Sequence, residues 1–494
     1  MSAMTATRSA RWLALVALAF GLSGDYLLRA PTWGINVALG LALMAIAALV
    51  ASMLSVSDRG ERQQTARWPW LAAAFFAAMW AVRDAELLLA VDLLAAVSLA
   101  CLPLIPGGKA GLREAGVLDV VTAAIGTAWR AATGAADLMR HLRPQAMSGP
   151  ALWRRVATMG IGLLLAIPSV LIFGALFASA DPVFDKMVDS LIGVTLKSLA
   201  SHVILTMGLA WTAAGYLWTH AAARRVTPPA LSPVTLGYTP MVTVLGATAL
   251  VFALFILVQA QSLFGGEAFV QAQTGLTYAE YARRGFFQMV FAAALALPLV
   301  YVAWFAAGSP ADARSAAGLR LIMALQLGLT TLVLVSALWR LGLYVRAYGL
   351  TEDRLYGVAV LLWIATVIAL FVPTVLRGRP TGVVHGMIVA AVVILAALNL
   401  ADPAALVARY NLAHQERRTV DVNYLTRLSA DAVPVIVARL QDVPSADRCA
   451  LVHALMRRHG ASPPDWRGWN LARARARRAL AELELPACAP HRAQ

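Results

Sequence analysis

Residues 276–288 read LTYAEYARRGFFQ, a polar and aromatic turn that leads directly into an apolar segment. Thr277 and Glu280 have the spacing of a capping box, which predicts that a helix begins at Thr277 and continues into that segment. Guanidinium groups favour the boundary between lipid and water, so we expect Arg283 and Arg284 where this helix crosses the headgroup layer. The stretch therefore predicts a helical membrane protein with an organised polar surface.

The composition of the whole chain agrees with this class. Of its 494 residues, 60% are hydrophobic and 14% are charged, and the mean hydropathy is +0.70. Ordinary soluble domains are less apolar and more highly charged. The net charge of +15 is spread over short loops and one tail, which predicts contact with acidic lipid headgroups. We therefore expect the phospholipid bilayer as a partner, and no nucleic acid.

Apolar segments that are long enough to cross a bilayer recur along the chain, since about 20 such residues cover about 30 Å of hydrocarbon. The candidate spans are 12–28, 33–54, 68–82, 87–104, 156–176, 199–218, 241–263, 286–305, 321–339, 357–376 and 383–400. We interpret the first as a retained span rather than a cleaved signal, because many further spans follow it. The pattern predicts an all-α fold, a polytopic helical membrane bundle of about 11 spans with a small helical C-terminal tail domain.

The spans and the loops between them divide the chain into four predicted domains. These are an N-terminal four-span region at 1–105, a cytoplasmic loop at 106–152, a seven-span core at 153–400 and an extramembrane helical domain at 401–494. In the cytoplasmic loop, apolar residues recur at helical spacing from Leu118 to Trp129, which predicts an amphipathic helix lying on the membrane. Asp402 and Pro403 open the tail domain with an N-cap and a proline at the first helical position.

The distribution of positive charge predicts the orientation in the membrane. Loops on the N-terminal side carry about twice as many Lys and Arg residues as the opposite loops, so the positive-inside rule places the N-terminus in the cytoplasm. With an odd number of spans, the C-terminal tail then lies in the periplasm. Because that compartment is oxidising, Cys449 and Cys488 are candidates for a disulfide. The third cysteine, Cys101, lies within a predicted span.

Sequence motifs of catalysis are lacking. The glycines and lysine at 107–109 do not have the spacing of a phosphate-binding loop, and no H-E-x-x-H or G-x-S-x-G sequence occurs. His453 and His459 are not spaced to share one helical face as metal ligands. We therefore predict no catalytic residue, no cofactor and no metal site.

Three motifs place charged residues on the predicted outer face: FASADPVF at 177–184, LTYAEYARRGFFQ at 276–288 and YGLTEDRLYG at 348–357. Their charged side chains form a candidate outer polar layer of Asp181, Glu280, Arg283, Arg284, Glu352, Asp353 and Arg354. One interpretation is local, in which each residue caps its own helix or snorkels to the interface. The other is an anion or headgroup site between spans, because the planar guanidinium group suits phosphate and carboxylate.

Asp92 is a candidate intramembrane acid, because it falls inside the fourth predicted span. An ionisable group in hydrocarbon is costly and is by default a candidate for function. Two roles stay open at this point. Asp92 belongs to a proton relay with a histidine such as His202 or His385, or it reaches water or a polar group on a neighbouring helix.

The motifs FASADPVF, LTYAEYARRGFFQ, LYVRAYGLTEDRLYG and DPAALVARYNL occur in this order in the chain. Together they resemble the bacterial membrane-protein family catalogued as domain of unknown function 4173, over about residues 153–440. The resemblance implies the architecture of a multi-pass protein in the bacterial inner membrane. It implies no catalytic residue.

These observations predict an integral inner-membrane protein that acts as a non-catalytic interaction or envelope-associated protein, with an envelope protein as its candidate partner. The alternative is a transporter of an anionic or lipidic substrate, with Asp92 in the path and the outer arginines at its mouth. A membrane enzyme ranks third. A cavity that reaches Asp92 favours the transporter, whereas a closed bundle with a large exposed apolar patch favours a partner protein.

Overall fold

The computed structural model describes residues 3–53, 68–102, 115–142, 196–221, 235–264, 285–308, 312–377, 382–414, 421–461 and 465–483, together with the single positions 170, 173, 177, 181, 186 and 187. Every regular element in these residues is a helix, and they contain no strand. The all-α fold class predicted from the sequence is therefore confirmed for this part of the chain.

The helices before the C-terminal domain are α1 (Ala3–Leu28), α2 (Ile35–Met53), α3 (Trp68–Met79), α4 (Glu86–Cys101), α5 (Val117–His141), α6 (Leu196–Ala221), α7 (Tyr238–Phe264), α8 (Phe286–Ala306), α9 (Ala313–Tyr348), α10 (Glu352–Arg377) and α11 (Val383–Ala401). By length and composition, six of the described helices can cross a membrane, namely α1, α7, α8, α9, α10 and α11. They fit an integral membrane protein.

The count of about 11 spans is not confirmed. The predicted spans at 33–54, 68–82, 87–104 and 199–218 coincide with α2, α3, α4 and α6. These helices are not among those that are both long enough and apolar enough to cross a membrane. α4 has 16 residues, which cover about 24 Å at 1.5 Å per residue. The predicted span at 156–176 lies outside the described residues except for positions 170 and 173.

Two apolar cores hold the helices before the C-terminal domain together. One joins α1, α2, α5 and α6 and includes Leu138 and Leu217. The other joins α7, α8, α9 and α10 and includes Val300 and Met323. Between them, α3 and α4 pack against each other and against α2 and α11.

The predicted amphipathic helix is α5, which packs along α6 at a pair of glycines. A Cβ atom on Gly215 would lie 2.1 Å from the carbonyl oxygen of Ala131, so the two backbones meet there without a side chain between them. Val121 and Trp129, on the apolar stripe of α5, are exposed. The helix therefore approaches α6 closely through small residues and leaves Val121 and Trp129 on the surface, whereas Leu138 lies in the apolar core.

The C-terminal domain consists of α12 (Pro403–Ala413), α13 (Val422–Arg427), α14 (Val433–Ala438), α15 (Ser445–His459), α16 (Leu471–Ala481) and the 3-10 turns Ala430–Ala432, Leu440–Asp442 and Trp466–Gly468. Its apolar core includes Leu412, Ile436 and Leu451. Leu350, from the loop between α9 and α10, inserts into the same core. Its backbone N–H donates to Asn411 Oδ1 at 3.0 Å, which attaches this loop to α12.

One end of the helical assembly carries the C-terminal domain. At the start of α2, the Ile35 N–H donates to the Trp469 carbonyl oxygen at 2.9 Å. In the loop between α3 and α4, the Ala81 carbonyl oxygen accepts from the Leu471 N–H at 2.8 Å. Asp402, the N-cap that the sequence predicts for α12, directly follows α11 and accepts from the Ala405 N–H at 3.2 Å. Three separate connections between the preceding helices, including the one that contains Leu350, thus contact one domain.

Candidate binding site

The loop between α3 and α4 holds the C-terminal domain in place through Arg83. This guanidinium group forms an ion pair with Asp402 and lies 3.4 Å from Asp431 Oδ1. Its Nε also donates to the carbonyl oxygen of Asn399 at 2.8 Å, near the end of α11. One side chain therefore connects α11, the start of α12 and the turn before α14.

Asp431 is the buried centre of this junction. Its Oδ2 accepts from the Asp84 N–H at 2.7 Å and from the Ser429 hydroxyl at 3.0 Å. Burial, reinforced by the nearby negative charge of Asp402, raises the pKa of Asp431 to about 6. Arg83 and the two hydrogen bonds oppose that shift because they stabilise the charged form.

Asn470 and Arg473 attach α16 to the same loop. Asn470 caps α16 by accepting from the Arg473 N–H at 3.2 Å, and its side chain donates to the Trp80 carbonyl oxygen at 2.9 Å. The Arg473 guanidinium pairs with Asp84 Oδ1 at 2.7 Å. The sequence of the loop thus supplies both carbonyl acceptors and a carboxylate to one helix of the C-terminal domain.

A cavity of about 820 Å³ lies between the C-terminal domain and the helices that precede it, and we call it the interface cavity. Its membrane-side wall consists of Thr32, Trp33, Trp80, Asp84, Ala85, Glu86, Leu87, Leu89, Ala90, Glu352, Asp353 and Tyr356. The opposite wall belongs to the C-terminal domain and consists of Arg427, Ser429, Arg458, His459, Ala461, Arg473 and Arg477.

The charges of the interface cavity are separated by sign. All carboxyl groups stand on the membrane-side wall, which we call the carboxylate wall, and all guanidinium groups stand on the opposite wall, which we call the arginine wall. Asp84 and Arg473 form an ion pair across the cavity. The remaining charged groups make no ion pair within 4 Å among the described residues; they are Glu86, Glu352, Asp353, Arg427, Arg458 and Arg477. Three carboxyl groups and three guanidinium groups therefore line opposite walls without an ion pair.

Five polar atoms in these walls are buried without a hydrogen-bond partner in the described part of the chain. They are Thr32 Oγ1, Trp80 Nε1, Glu352 Oε1, Tyr356 Oη and His459 Nε2. The indole N–H is a donor, the carboxylate oxygen is an acceptor, and the hydroxyl groups can act as either. Native interiors leave few such atoms unpaired. Their concentration in one cavity marks it as a candidate binding site.

Two groups next to the cavity keep their neutral forms at neutral pH. Burial, together with the positive charge of Arg458, lowers the pKa of His459. Burial raises the pKa of Tyr424 to about 12, and its hydroxyl oxygen accepts from the Glu352 N–H at 3.0 Å. The net charge of the cavity is therefore set by its carboxylates and guanidinium groups.

The structure describes four of the seven predicted members of the outer polar layer. Glu352 and Asp353 line the interface cavity. Arg354 instead donates to the Gly349 carbonyl oxygen and stacks 3.9 Å from the ring centre of Tyr344. Asp181 donates its backbone N–H to the Phe177 carbonyl oxygen at 2.9 Å. The other predicted members, Glu280, Arg283 and Arg284, lie outside the described residues.

Asp92 is fully buried in α4 and does not line the interface cavity. Its Oδ1 accepts from Asn399 Nδ2 at 2.8 Å, so its neighbour is a polar group on α11. Asp92 Oδ2 and Asn399 Oδ1 have no hydrogen-bond partner among the described residues. His202, which the sequence offered as a relay partner, instead lies 2.6 Å from Asp25 at the start of α6.

The cysteines and metal-binding residue types complete the candidate sites. Cys101 is a free thiol, whereas Cys449 is in a disulfide. Cys488 lies outside the described residues, so the pairing of these two cysteines remains a prediction. Where the chain is described, no group of three or more His, Cys, Asp or Glu side chains is arranged to hold a metal ion.

The arginine wall was not found from the sequence. The segment AVRDAE at 81–86 does carry a signal, because a charged pair interrupts two apolar segments there. Arg473 and Arg477 belong to a run of arginines, which the sequence alone presents as a solvated helix face. These arginines are more than a hundred residues away from the carboxylates in the sequence, so no local pattern indicates that the two sets lie close together in the fold.

A family model described as domain of unknown function (DUF4153) matches residues 70–438. The match begins in α3 and ends with α14, so it includes the membrane-side carboxylates of the interface cavity and Arg427. It supports membership of a family of unknown function but does not support the 4173 family suggested by the sequence motifs. No curated protein and no solved structure matches the chain with significance.

Proposed function

The chain belongs to the family described as domain of unknown function (DUF4153), and from this premise we propose that it is a non-catalytic binding protein of the membrane. Its binding site is the interface cavity. In this role the chain serves as an interaction or envelope-associated protein. Its ligand enters the cavity from the membrane surface, either as a separate molecule or as a polar group of an envelope protein.

The observation that supports this proposal most strongly is the cluster of five unpartnered polar atoms in the cavity walls. A buried polar group that remains unpaired costs about 1–3 kcal/mol. A ligand that hydrogen-bonds to several of them therefore gains affinity from groups the fold leaves unsatisfied. Glu352 and Asp353 of the predicted outer polar layer enter the proposal as part of the carboxylate wall.

Native mass spectrometry of the detergent-solubilised protein tests the proposal. We expect a bound species of defined mass whose occupancy falls at least about tenfold when Arg427→Gln and Arg477→Gln are combined, because each removes a charge-assisted contact. The matched control combines Arg475→Gln with Arg478→Gln, since both residues are exposed on α16 and neither lines the cavity. Equal occupancy in the two double variants, or no bound species, would contradict the proposal.

We further propose that the chain crosses the bacterial inner membrane eleven times, with a cytoplasmic N-terminus and a periplasmic C-terminal domain. The charge difference between the two sets of loops supports this orientation. The disulfide at Cys449 also supports it, because disulfides persist in oxidising compartments. Pairing of Cys449 with Cys488 is part of the proposal.

Thiol labelling in intact cells tests the orientation. The exposed residue Gln441 is replaced by cysteine, Gln441→Cys, after the native cysteines have been changed to serine. We expect a membrane-impermeant reagent to label this site in intact cells. Labelling that requires opening of the inner membrane would place the C-terminal domain in the cytoplasm.

Transport of an anionic or lipidic substrate is the alternative function, and Asp92 is the residue that bears on it. The buried pair of Asp92 and Asn399 supports a proton-linked role, because both side chains have an acceptor atom without a partner. The interface cavity, however, includes Leu89 and Ala90 and ends before Asp92. Uptake into proteoliposomes that is lost in Asp92→Asn, with the fold intact, would favour transport over simple binding.

A further inference from the structure

We propose that the interface cavity binds the zwitterionic head of an aminophospholipid, with the phosphate against the arginine wall and the ammonium group against the carboxylate wall. This inference rests on the proposed binding function and names the class of ligand. The shared chemistry is a phosphate joined to a primary amine. The source is a lipid rather than a soluble molecule.

The separated charges of the cavity carry the first step. After the pair of Asp84 and Arg473 is set aside, three carboxyl groups stand opposite three guanidinium groups and form no ion pair with them within 4 Å among the described residues. A ligand that is only anionic would satisfy the arginines and be repelled by the opposite wall. A zwitterion complements both walls at once.

The geometry of the donors and acceptors carries the second step. Guanidinium groups such as Arg427 and Arg477 offer planar donor pairs that suit phosphate oxygens. Glu352 Oε1 is a buried acceptor without a partner, and a primary ammonium group has three N–H donors for such an acceptor. A quaternary ammonium group has no N–H and leaves that oxygen unpaired.

The position of the cavity at the ends of the membrane helices carries the third step. Leu87 and Ala90 line the cavity at the start of α4. Leu87, Val91 and Leu94 continue along one face of α4 and are 55%, 40% and 67% exposed. Residues spaced by four and three positions lie above one another on a helix. An acyl chain that leaves the cavity can therefore pack against this apolar stripe. A soluble zwitterion has no acyl chain and makes no such contact.

Tryptophans at the same level agree with a lipid. Trp33 and Trp80 line the cavity with ring centres 5.9 Å apart. Indole rings are enriched where lipid headgroups meet hydrocarbon, because one part of the ring is apolar and its N–H is polar. Trp80 Nε1, which has no partner among the described residues, offers a hydrogen-bond donor to a headgroup in the cavity.

Lipid competition measured by native mass spectrometry tests the inference on the full-length protein. Phosphatidylethanolamine, phosphatidylcholine and phosphatidylglycerol with the same acyl chains are added in equal amounts to delipidated protein. We expect phosphatidylethanolamine to be retained about tenfold over either of the others, corresponding to one lost charge-assisted contact. Equal retention of phosphatidylglycerol would overturn the inference, because that lipid carries no ammonium group.

Two double variants test the contributions of the arginine wall and the carboxylate wall separately. Arg427→Gln with Arg477→Gln should weaken retention of every phospholipid, since the phosphate contact is lost. Glu352→Gln with Asp353→Asn should abolish the preference for phosphatidylethanolamine while lipid binding persists. The combination of Arg475→Gln and Arg478→Gln is the control. Thermal unfolding of each variant shows whether it folds. If the acidic double variant does not fold, Glu86→Gln replaces it, because Glu86 is an exposed residue of the cavity.

Soluble phosphoethanolamine distinguishes the source of the headgroup. If it displaces the lipid only at more than about a hundredfold higher concentration, the acyl chain contributes and the lipid assignment holds. Displacement at equal concentration would overturn that assignment. A bound species that depends on Arg427 and Arg477 but is not a phospholipid would refute this inference and leave the proposed binding function intact. Absence of any such species would refute both.

Discussion

Arg83 and Asp402 are separated by 319 positions in the sequence and form an ion pair where the membrane helices meet the C-terminal domain. The same guanidinium group reaches Asp431, whose side chain is 2% exposed. A buried ion pair adds little net stability compared with apolar packing, yet removing one partner leaves an uncompensated charge. The group therefore fixes the position of the domain more than it strengthens the fold.

Replacement of Arg83 tests this role. We expect Arg83→Met to lower the free energy of unfolding by about 3–5 kcal/mol, because Asp431 is then buried without its positive partner. Thermal unfolding of the purified protein measures the change. Arg140→Met is the control, since Arg140 and Asp137 form an exposed pair that should contribute less than about 1 kcal/mol. Equal losses in the two variants would show that Arg83 has no special role.

The titration of Asp431 predicts a pH dependence of stability. Its pKa is about 6 in the folded protein, against about 3.9 in an unfolded chain. The folded state binds more protons between these values, so the stabilisation from this group is complete below about pH 4 and is lost as the pH rises through about 6. The loss is on the order of 3 kcal/mol.

Asp431→Asn removes this titration and isolates its effect. We expect the unfolding free energy of the original chain to fall relative to the variant as the pH rises from about 4 to about 7. His459 also has a shifted pKa, but it titrates in both proteins and cancels in the comparison. Chemical unfolding at several pH values measures the two profiles. Parallel profiles would mean that Asp431 does not bind a proton in this range.

Asp92 predicts a difference between two substitutions of the same buried side chain. Asp92→Asn should leave stability unchanged or raise it by about 1 kcal/mol, because the introduced amide can donate to Asn399 Oδ1, which has no partner. Asp92→Ala should lower stability by about 1–3 kcal/mol, because the hydrogen bond to Asn399 and its packing are lost. Thermal unfolding distinguishes them. Equal destabilisation would indicate that the ionised carboxylate itself is required.

The contact between α5 and α6 predicts opposite effects for two glycines on α6. Gly215→Ala should destabilise the protein by about 1–3 kcal/mol, because the new Cβ meets the Ala131 carbonyl oxygen. Gly208→Ala should stabilise it by up to about 1 kcal/mol, since nothing lies within 4 Å of that Cβ and alanine favours the helix. Unfolding temperatures measure both. A neutral Gly215→Ala would refute the close approach of the backbones.

The helices were predictable because each carries its own signal. Asp402 and Pro403 form an N-cap and first-turn pair that can be recognised locally, and α12 begins there. The number of membrane-crossing helices was harder to predict from apolar windows alone. The window at 68–82 runs past the end of α3 at Met79, because the next residues leave the helix and Ala81 and Val82 present their carbonyl groups to α16. Tertiary hydrogen bonds overrode hydropathy at this point.

The candidate site was predictable only on one wall. Glu352 and Asp353 follow Thr351 in a helix-start pattern, so their position could be recognised. Arg83 pairs with residues more than three hundred positions away, and Arg473 reaches Asp84 over 389 positions. No periodicity records such proximity, because it exists only after the domain has docked. The sequence therefore identified helix-end carboxylates but not the guanidinium groups opposite them.

The backbone of Asp402 joins α11 directly to α12. Asp402 is the single residue between α11 and α12, and its φ of 57° is in the left-handed region. It also caps α12 and pairs with Arg83. The two helices are therefore joined without a flexible linker. The C-terminal domain thus continues from α11, and its orientation is coupled directly to that of α11.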